Sequence, residues 1–161
     1  MEIPIMLIIF SLPSIIYLIV MAVRGTPFSE SRKNVGWNLC TGKDLLYAAA
    51  VFVAVSIIAF VVLKFIPASL LEGASSYSGQ PLNARSILAA LLKEAFYIAL
   101  GEEVFFRGFL GSWLFRRLGF GWGNLVQAIV FLLPHLFLLT VGPQIWPVFI
   151  VQFCAGWGQG W

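Results

Sequence analysis

Three charged residues near the middle of the chain have the types and spacing needed for acid–base chemistry. Glu102 and Glu103 are adjacent, and Arg107 follows four residues after the second glutamate. An α-helix turns by about 100° per residue, so Glu103 and Arg107 meet on one face. Glu102 points about 100° away from Glu103, which makes Arg107 a poorer partner for it. Long apolar stretches flank the cluster, and an ionisable residue inside a membrane is a functional candidate.

A second polar site lies in the segment FLLPH, which ends at His135, the only histidine of the chain. Phe131 and His135 are four residues apart, so they share a helical face. Pro134 has no backbone N–H and leaves the carbonyl of Val130 without its helical donor. We expect a kink there that opens room for water or substrate.

Carboxylate-driven hydrolysis is the chemistry that these residues fit best. A carboxylate shielded from water becomes a stronger base, so Glu102 could take a proton from water. A neutral His135 could hold that water or pass on the proton. The oxygen of the attacked carbonyl then needs hydrogen-bond donors. No Ser or Cys has an evident base partner for nucleophilic attack.

A zinc centre is disfavoured, and we expect no cofactor. The chain has one His and no HExxH motif. Glu102, Glu103 and His135 could supply three ligands, but the two adjacent glutamates point in different directions. Zinc sites in proteins usually draw on more His or Cys.

Several alternatives stay open for the same residues. Glu103 and Arg107 could be a buried ion pair that only fixes helix packing, since buried charges must be paired. Glu102 could face a water-filled vestibule, and His135 could be a packed, hydrogen-bonded residue. The whole protein could be non-catalytic, as an immunity factor or a partner-binding bundle. It could also be a transporter in which Glu102 and His135 relay protons.

The composition is that of an integral membrane protein. The chain has 161 residues, of which 60% are hydrophobic and 11% charged, whereas soluble domains have about 25% charged residues. The net charge of +3 is spread along the chain without a basic stripe. We therefore expect contact with membrane lipids and none with nucleic acid.

Hydropathy predicts an all-α fold, a polytopic bundle of about five membrane helices forming one domain over residues 1–161. The predicted spans are residues 3–23 with a bend at Pro13, 45–66, 87–114, 125–141, and an apolar segment from 143 to the end. Residues 67–81 are rich in Ser and Gly and predict an exposed loop. Residues 116–124 predict a turn, with Asn124 capping the helix that follows.

Loop charge predicts the orientation. The loop after the first span and the loop after the third span hold most of the basic loop residues, namely Arg24, Arg32, Lys33, Lys43, Arg116 and Arg117. Basic loops face the cytoplasm. We expect a multi-pass protein of the cytoplasmic (cell) membrane with its N-terminus outside.

Together the two patterns resemble the CAAX protease and bacteriocin-processing family of intramembrane proteases, called CPBP or Abi. Its first motif, EExxxR, is matched by Glu102, Glu103 and Arg107, and its second, FxxxH, by Phe131 and His135. The motifs lie on successive predicted spans, as in the family. The resemblance covers about residues 88–161, within a core that we assign to residues 82–161. Residues 1–80, with two spans, lie outside it.

The resemblance implies a helical fold with a conical, water-accessible cavity and glutamate-dependent proteolysis at the membrane. Residues matching Glu102 and His135 would activate water, while Glu103, Arg107 and Phe131 would support the site. The substrate would be a peptide or protein that is lipidated or membrane-bound. Eukaryotic members trim the last three residues from prenylated CAAX proteins, and many prokaryotic members are assigned to bacteriocin maturation or self-immunity. Members are often described as metalloproteases, although the residues here favour glutamate chemistry.

A third family motif has no match in this sequence. That motif is a second His followed four residues later by Asn or a similar residue, and it is thought to stabilise the oxyanion. The chain has no second His. We therefore expect the core to be incomplete at its C-terminal end.

Overall fold

A computed structural model describes residues 5–74, 79–81 and 83–160. Every regular element in these ranges is a helix, which confirms the predicted all-α fold. The helices are α1 (Ile5–Val23), α2 (Phe28–Asn34), α3 (Gly42–Leu63), α4 (Ala68–Ala74), α5 (84–118), α6 (Phe120–Thr140) and α7 (Val148–Gly158).

Three of these helices, α1, α3 and α6, are long and apolar enough to cross a membrane. Only 6% of the most apolar stretch of α1 and of α3 is buried inside the protein. Apolar surface on that scale needs an apolar surrounding, which a bilayer supplies. Helix α5 is also long enough, but any 18 consecutive residues of it include at least three charged ones. Helix α7 has 11 residues, fewer than the roughly 20 that a perpendicular span needs.

Helix α5 alternates between α-helical and π-helical segments. The π segments are Lys93–Ala99 and Glu103–Gly111, and the second contains most of the EExxxR motif. A π segment shifts the register of every later side chain on the helix, and such segments are frequent at functional sites. Phe120–Leu132 of α6 is α-helical, and Leu133–Thr140 continues it as a tighter 3₁₀-helix.

The predicted turn over residues 116–124 is wrong in its extent. Helix α5 continues to Leu118, and only Gly119 separates it from α6. Gly119 has φ 75°, a conformation that favours glycine and that ends helices. Asn124 therefore lies within α6 and does not cap it. Its side chain is fully buried and donates a hydrogen bond to the carbonyl oxygen of Trp157 over 3.0 Å.

The predicted loop over residues 67–81 contains the short helix α4. The carbonyl of Pro67 accepts hydrogen bonds from the N–H groups of Leu70 and Leu71, which close its first turn. Leu70 and Leu71 also pack against an apolar cluster formed by Val62, Ile66 and Ile145. The packing of these two leucines outweighs the tendency of the surrounding Ser and Gly residues to form a turn. Residues 75–78 of the predicted loop lie outside the described part of the chain.

The described residues form two compact units. The first contains α1, α2, α5 and the first residues of α6, up to position 123. The second contains α3, α4, the rest of α6 and α7. The assignment of residues 1–161 to a single membrane domain stays a prediction.

In the first unit, α1 and α5 run in the same direction. Leu7 lies against Gly101, where an added Cβ atom would be 3.0 Å from the Leu7 Cα. Further along both helices, the ring centroids of Tyr17 and Phe109 are 6.3 Å apart, with Phe10 packed on the phenylalanines between. In the predicted topology one span lies between the first and third spans, so these two cross the membrane in the same direction. The parallel packing of α1 and α5 agrees with this.

In the second unit, α3 and α7 pack antiparallel. The Tyr47 hydroxyl, near the start of α3, donates to the carbonyl oxygen of Gly158 at the end of α7 over 3.1 Å. Near the other end of α3, Val62 packs with Ile145 and Val148. This packing holds α7 beside a helix that is long enough to span the membrane.

Helix α3 begins with a reciprocal cap that can be tested. The backbone N–H of Thr41 donates to the Asp44 carboxylate over 2.7 Å, and the Thr41 hydroxyl accepts from the Asp44 N–H over 3.4 Å. Thr41→Ala removes one partner and should lower the free energy of unfolding by about 1 kcal/mol. Thermal unfolding in detergent should show this loss, while Thr41→Ser retains the wild-type midpoint. Equal unfolding midpoints for Thr41→Ala and Thr41→Ser would show that the cap contributes nothing to stability.

Candidate active site

The Glu103–Arg107 ion pair predicted from spacing is present in the second π segment of α5. Arg107 Nη1 lies 3.2 Å from Glu103 Oε1. The Arg107 side chain is 10% exposed, whereas that of Glu103 is 41% exposed. Arg107 also interacts electrostatically with Glu102, though more weakly than with Glu103. The guanidinium thus balances a carboxylate cluster, and its stronger partner is the one that the spacing predicts.

An open cleft of about 270 Å³ lies beside this pair within the first unit. Its lining consists of Gly36, Trp37, Glu103, Val104, Arg107 and Gly108. The half-exposed Glu103 carboxylate therefore faces a space that water or a peptide segment can enter. Glu102, which we expected to be the base, is half-buried and is not part of this lining.

The turn after α2 forms the part of the cleft lining that does not belong to α5. Gly36, with φ 75°, lies directly against Gly108 of α5. A Cβ atom at position 36 would be 2.6 Å from the Gly108 Cα, and one at position 108 would be 2.7 Å from the Val35 carbonyl oxygen. Both distances are too short for real side chains. Two glycines are therefore required for this turn to lie so close to the motif.

His135 lies in the 3₁₀ segment of α6, with a defined hydrogen bond to its own helix. Its Nδ1 is 2.9 Å from the carbonyl oxygen of Phe131. A carbonyl oxygen can only accept, so Nδ1 carries the proton and Nε2 of the neutral ring is an acceptor. The helix tightens to 3₁₀ at Leu133, one residue before Pro134. The half-buried imidazole thus has one nitrogen available to take a proton.

Phe131 supports His135 in two ways. Its carbonyl fixes the tautomer, and its ring centroid lies 4.8 Å from that of the imidazole. The Phe131 side chain is itself 4% exposed and packs against Gly156 of α7. A Cβ atom at position 156 would be 3.1 Å from Phe131 Cδ1, so glycine allows this close packing. The His135 ring thus packs against a buried phenylalanine side chain.

The two halves of the candidate site belong to different units. Glu102, Glu103 and Arg107 lie in the first unit, whereas Phe131 and His135 lie in the second. Each half has the local geometry described above. The joint action of Glu102 and His135 on one water molecule stays a prediction.

No group of three or more His, Cys, Asp or Glu side chains among the described residues could hold a metal ion together. The expectations of no cofactor and of a disfavoured metal remain predictions.

Comparison with known families gave a match over the region that carries both motifs. Residues 83–161 match the family model described as type II CAAX prenyl endopeptidase Rce1-like. This region, 79 of the 161 residues, is therefore identified as Rce1-like. Neither curated proteins nor solved structures gave a significant match to the chain.

The Rce1-like region begins one residue before α5 and includes α6 and α7. It therefore contains Glu102, Glu103, Arg107, Phe131 and His135. The family is one of proteases, which indicates hydrolase activity in general. With three apolar helices of spanning length, the chain is an integral membrane protein.

Some residues of the site lie outside the motifs and were missed from sequence. Gly36 and Trp37 precede the Rce1-like region, and no local pattern marks them as neighbours of Glu103. Gln127 is fully buried, and no described residue forms a hydrogen bond with its amide. It comes four residues before Phe131, so its spacing could have placed it on the face that carries Phe131 and His135.

Proposed function

We propose that this protein is an intramembrane endopeptidase of the CAAX prenyl type. Glu102 and His135 would activate water, and Glu103, Arg107 and Phe131 would support them. The observation that carries the proposal is the family match over residues 83–161, because that region contains both motifs complete. The substrate would be a membrane-bound or lipidated peptide or protein.

The proposed reaction needs a base, a water molecule and a proton donor for the leaving amine. The base takes a proton from water while the water oxygen bonds to the carbonyl carbon of the substrate. The tetrahedral intermediate then breaks its C–N bond, and the amine leaves with the proton that the base returns. His135 Nε2 suits the proton transfer, since the Phe131 carbonyl keeps the ring proton on Nδ1.

Arg107 supports the reaction by its charge. Two adjacent carboxylates repel each other, and a guanidinium nearby offsets that repulsion. Glu103 is its direct ion-pair partner, and this ion pair suits a supporting role. We therefore assign Glu103 to support and, from the family resemblance, Glu102 to water activation.

The cleft would open toward the cytoplasmic side of the membrane. Part of its lining comes from the first basic loop, and Arg116, in the last turn of α5, donates to the carbonyl oxygen of Asn34, the last residue of α2, over 3.0 Å. The end of α5 therefore lies beside the end of α2, and we place both on the same side of the membrane. The parallel directions of α1 and α5 agree with this arrangement, and the loop charge would then place the N-terminus outside.

The direct test is cleavage of a synthetic prenylated peptide that ends in a CAAX sequence. The purified protein in lipid vesicles should release the C-terminal tripeptide, detected by mass spectrometry. The same peptide without the prenyl group shows whether the lipid is needed. If a folded protein cleaves neither peptide, this proposal is wrong and a non-catalytic membrane role is favoured.

A further inference from the structure

The turn from Asn34 to Trp37 is held rigidly against α5 although it lies outside the Rce1-like region. The Gly36–Gly108 contact brings the two backbones together. Arg116 Nη1 adds a hydrogen bond to the Asn34 carbonyl oxygen over 3.0 Å. A loop that is fixed by its own backbone has its position set before any substrate binds.

Trp37 is fixed by a pair of hydrogen bonds with Arg32. The Trp37 N–H donates to the Arg32 carbonyl oxygen over 2.9 Å, and Arg32 Nη1 donates to the Trp37 carbonyl oxygen over 2.7 Å. Both bonds use the Trp37 backbone. The residue nevertheless remains 39% exposed and lines the cleft beside Glu103 and Arg107.

Trp37 is exposed, its backbone is held by hydrogen bonds, and it lines a cleft together with two charged groups, so it is suited to bind an apolar group. Aromatic side chains supply a large contact area at low cost in conformational entropy. The Glu103–Arg107 pair in the same lining offers polar partners for a peptide backbone. A peptide segment with an apolar side chain fits such a lining.

We propose that Trp37 is a specificity-determining residue, whose indole packs against an apolar side chain of the substrate peptide. This inference rests on the proposed function for the cleavage of that peptide, but the binding contact can be measured without cleavage. Arg32 acts as a positioning residue that holds the Trp37 backbone.

The test compares Trp37→Ala, Trp37→Phe and Trp122→Ala in the full chain in lipid vesicles. Trp122 is a matched control, since it is 69% exposed in the same unit and does not line the cleft. The probe is a fluorescent prenylated CAAX-type peptide, whose Kd is measured by anisotropy and whose cleavage is measured by mass spectrometry. We expect Trp37→Ala to raise both Kd and KM about tenfold with little change in kcat. Trp37→Phe should restore most of the affinity, and Trp122→Ala should bind like the wild type.

Each outcome separates the contact from the reaction. A Kd unchanged by Trp37→Ala, or raised equally by Trp122→Ala, would overturn the role of Trp37, and so would a wild-type protein that does not bind the peptide. An equal loss in both alanine variants would identify the tryptophans as anchors at the membrane interface. If the wild type binds the peptide with the expected dependence on Trp37 but never cleaves it, the binding contact stands and the proposed protease activity fails.

Discussion

Glu102→Gln and His135→Ala will each lower the rate of peptide cleavage by a factor of about 100 or more. Positioned acid–base groups contribute roughly 10²–10⁴-fold to such reactions, and each variant removes a proton acceptor. Glu103→Gln should cost less than Glu102→Gln, because Glu103 is the ion-pair partner of Arg107. The measurement is kcat/KM on a prenylated CAAX-type peptide in vesicles.

The matched control for this prediction is Glu94→Gln. Glu94 lies on the same helix, α5, outside the EExxxR motif, and we assign it no role in the reaction. The Glu94→Gln variant should cleave the peptide at the wild-type rate. Full activity in both Glu102→Gln and His135→Ala would refute the assigned water activation. If Glu103→Gln loses more kcat/KM than Glu102→Gln, the roles of the two glutamates must be exchanged. The position of Glu103 in the cleft lining would explain that result.

Gly108→Ala will destabilise the protein by about 1–3 kcal/mol, although alanine normally stabilises a helix relative to glycine. The added Cβ atom would lie 2.7 Å from the Val35 carbonyl oxygen. That neighbour is backbone, so it cannot rotate away and the whole turn must move. We expect a lower unfolding midpoint in detergent and, because the turn forms the wall of the cleft, a raised KM as well.

Gly121→Ala is the matched control for Gly108→Ala. Gly121 also lies within a helix, α6, and no atom outside its immediate surroundings lies within 4 Å of an added Cβ. This substitution should leave the midpoint unchanged or raise it, because alanine loses less backbone entropy than glycine on folding. If the two alanine variants unfold at the same temperature, the contact between Gly36 and Gly108 is not required for the stability of the protein.

The parts of the fold that follow from local rules were predictable. The Glu103–Arg107 pair depends on an i, i+4 spacing, and it forms even though α5 is π-helical there. The first two apolar runs became α1 and α3, with ends within three residues of the predictions. Length and hydropathy suffice for such helices because the bilayer requires every backbone polar group to be satisfied within the span.

Predictions failed where packing outweighed local turn signals. Residues 116–124 contain three glycines and predict a long turn, yet Gly119 alone makes it and Asn124 is drawn into α6 to reach the Trp157 carbonyl. Helix α4 formed in a segment rich in Ser and Gly, where Leu70 and Leu71 meet an apolar cluster. Local composition does not show which distant atoms will meet a residue.

The sequence by itself determined the all-α membrane class, the two motifs and the ion pair, since each depends on composition or on spacing within one helix. Tertiary structure alone decided that the turn at Gly36 and Trp37 would lie against Glu103 and Arg107. About 70 residues of chain separate these groups, and backbone contact through two glycines brings them together. Spacing along a helix cannot specify a contact that depends on the shape of another part of the chain.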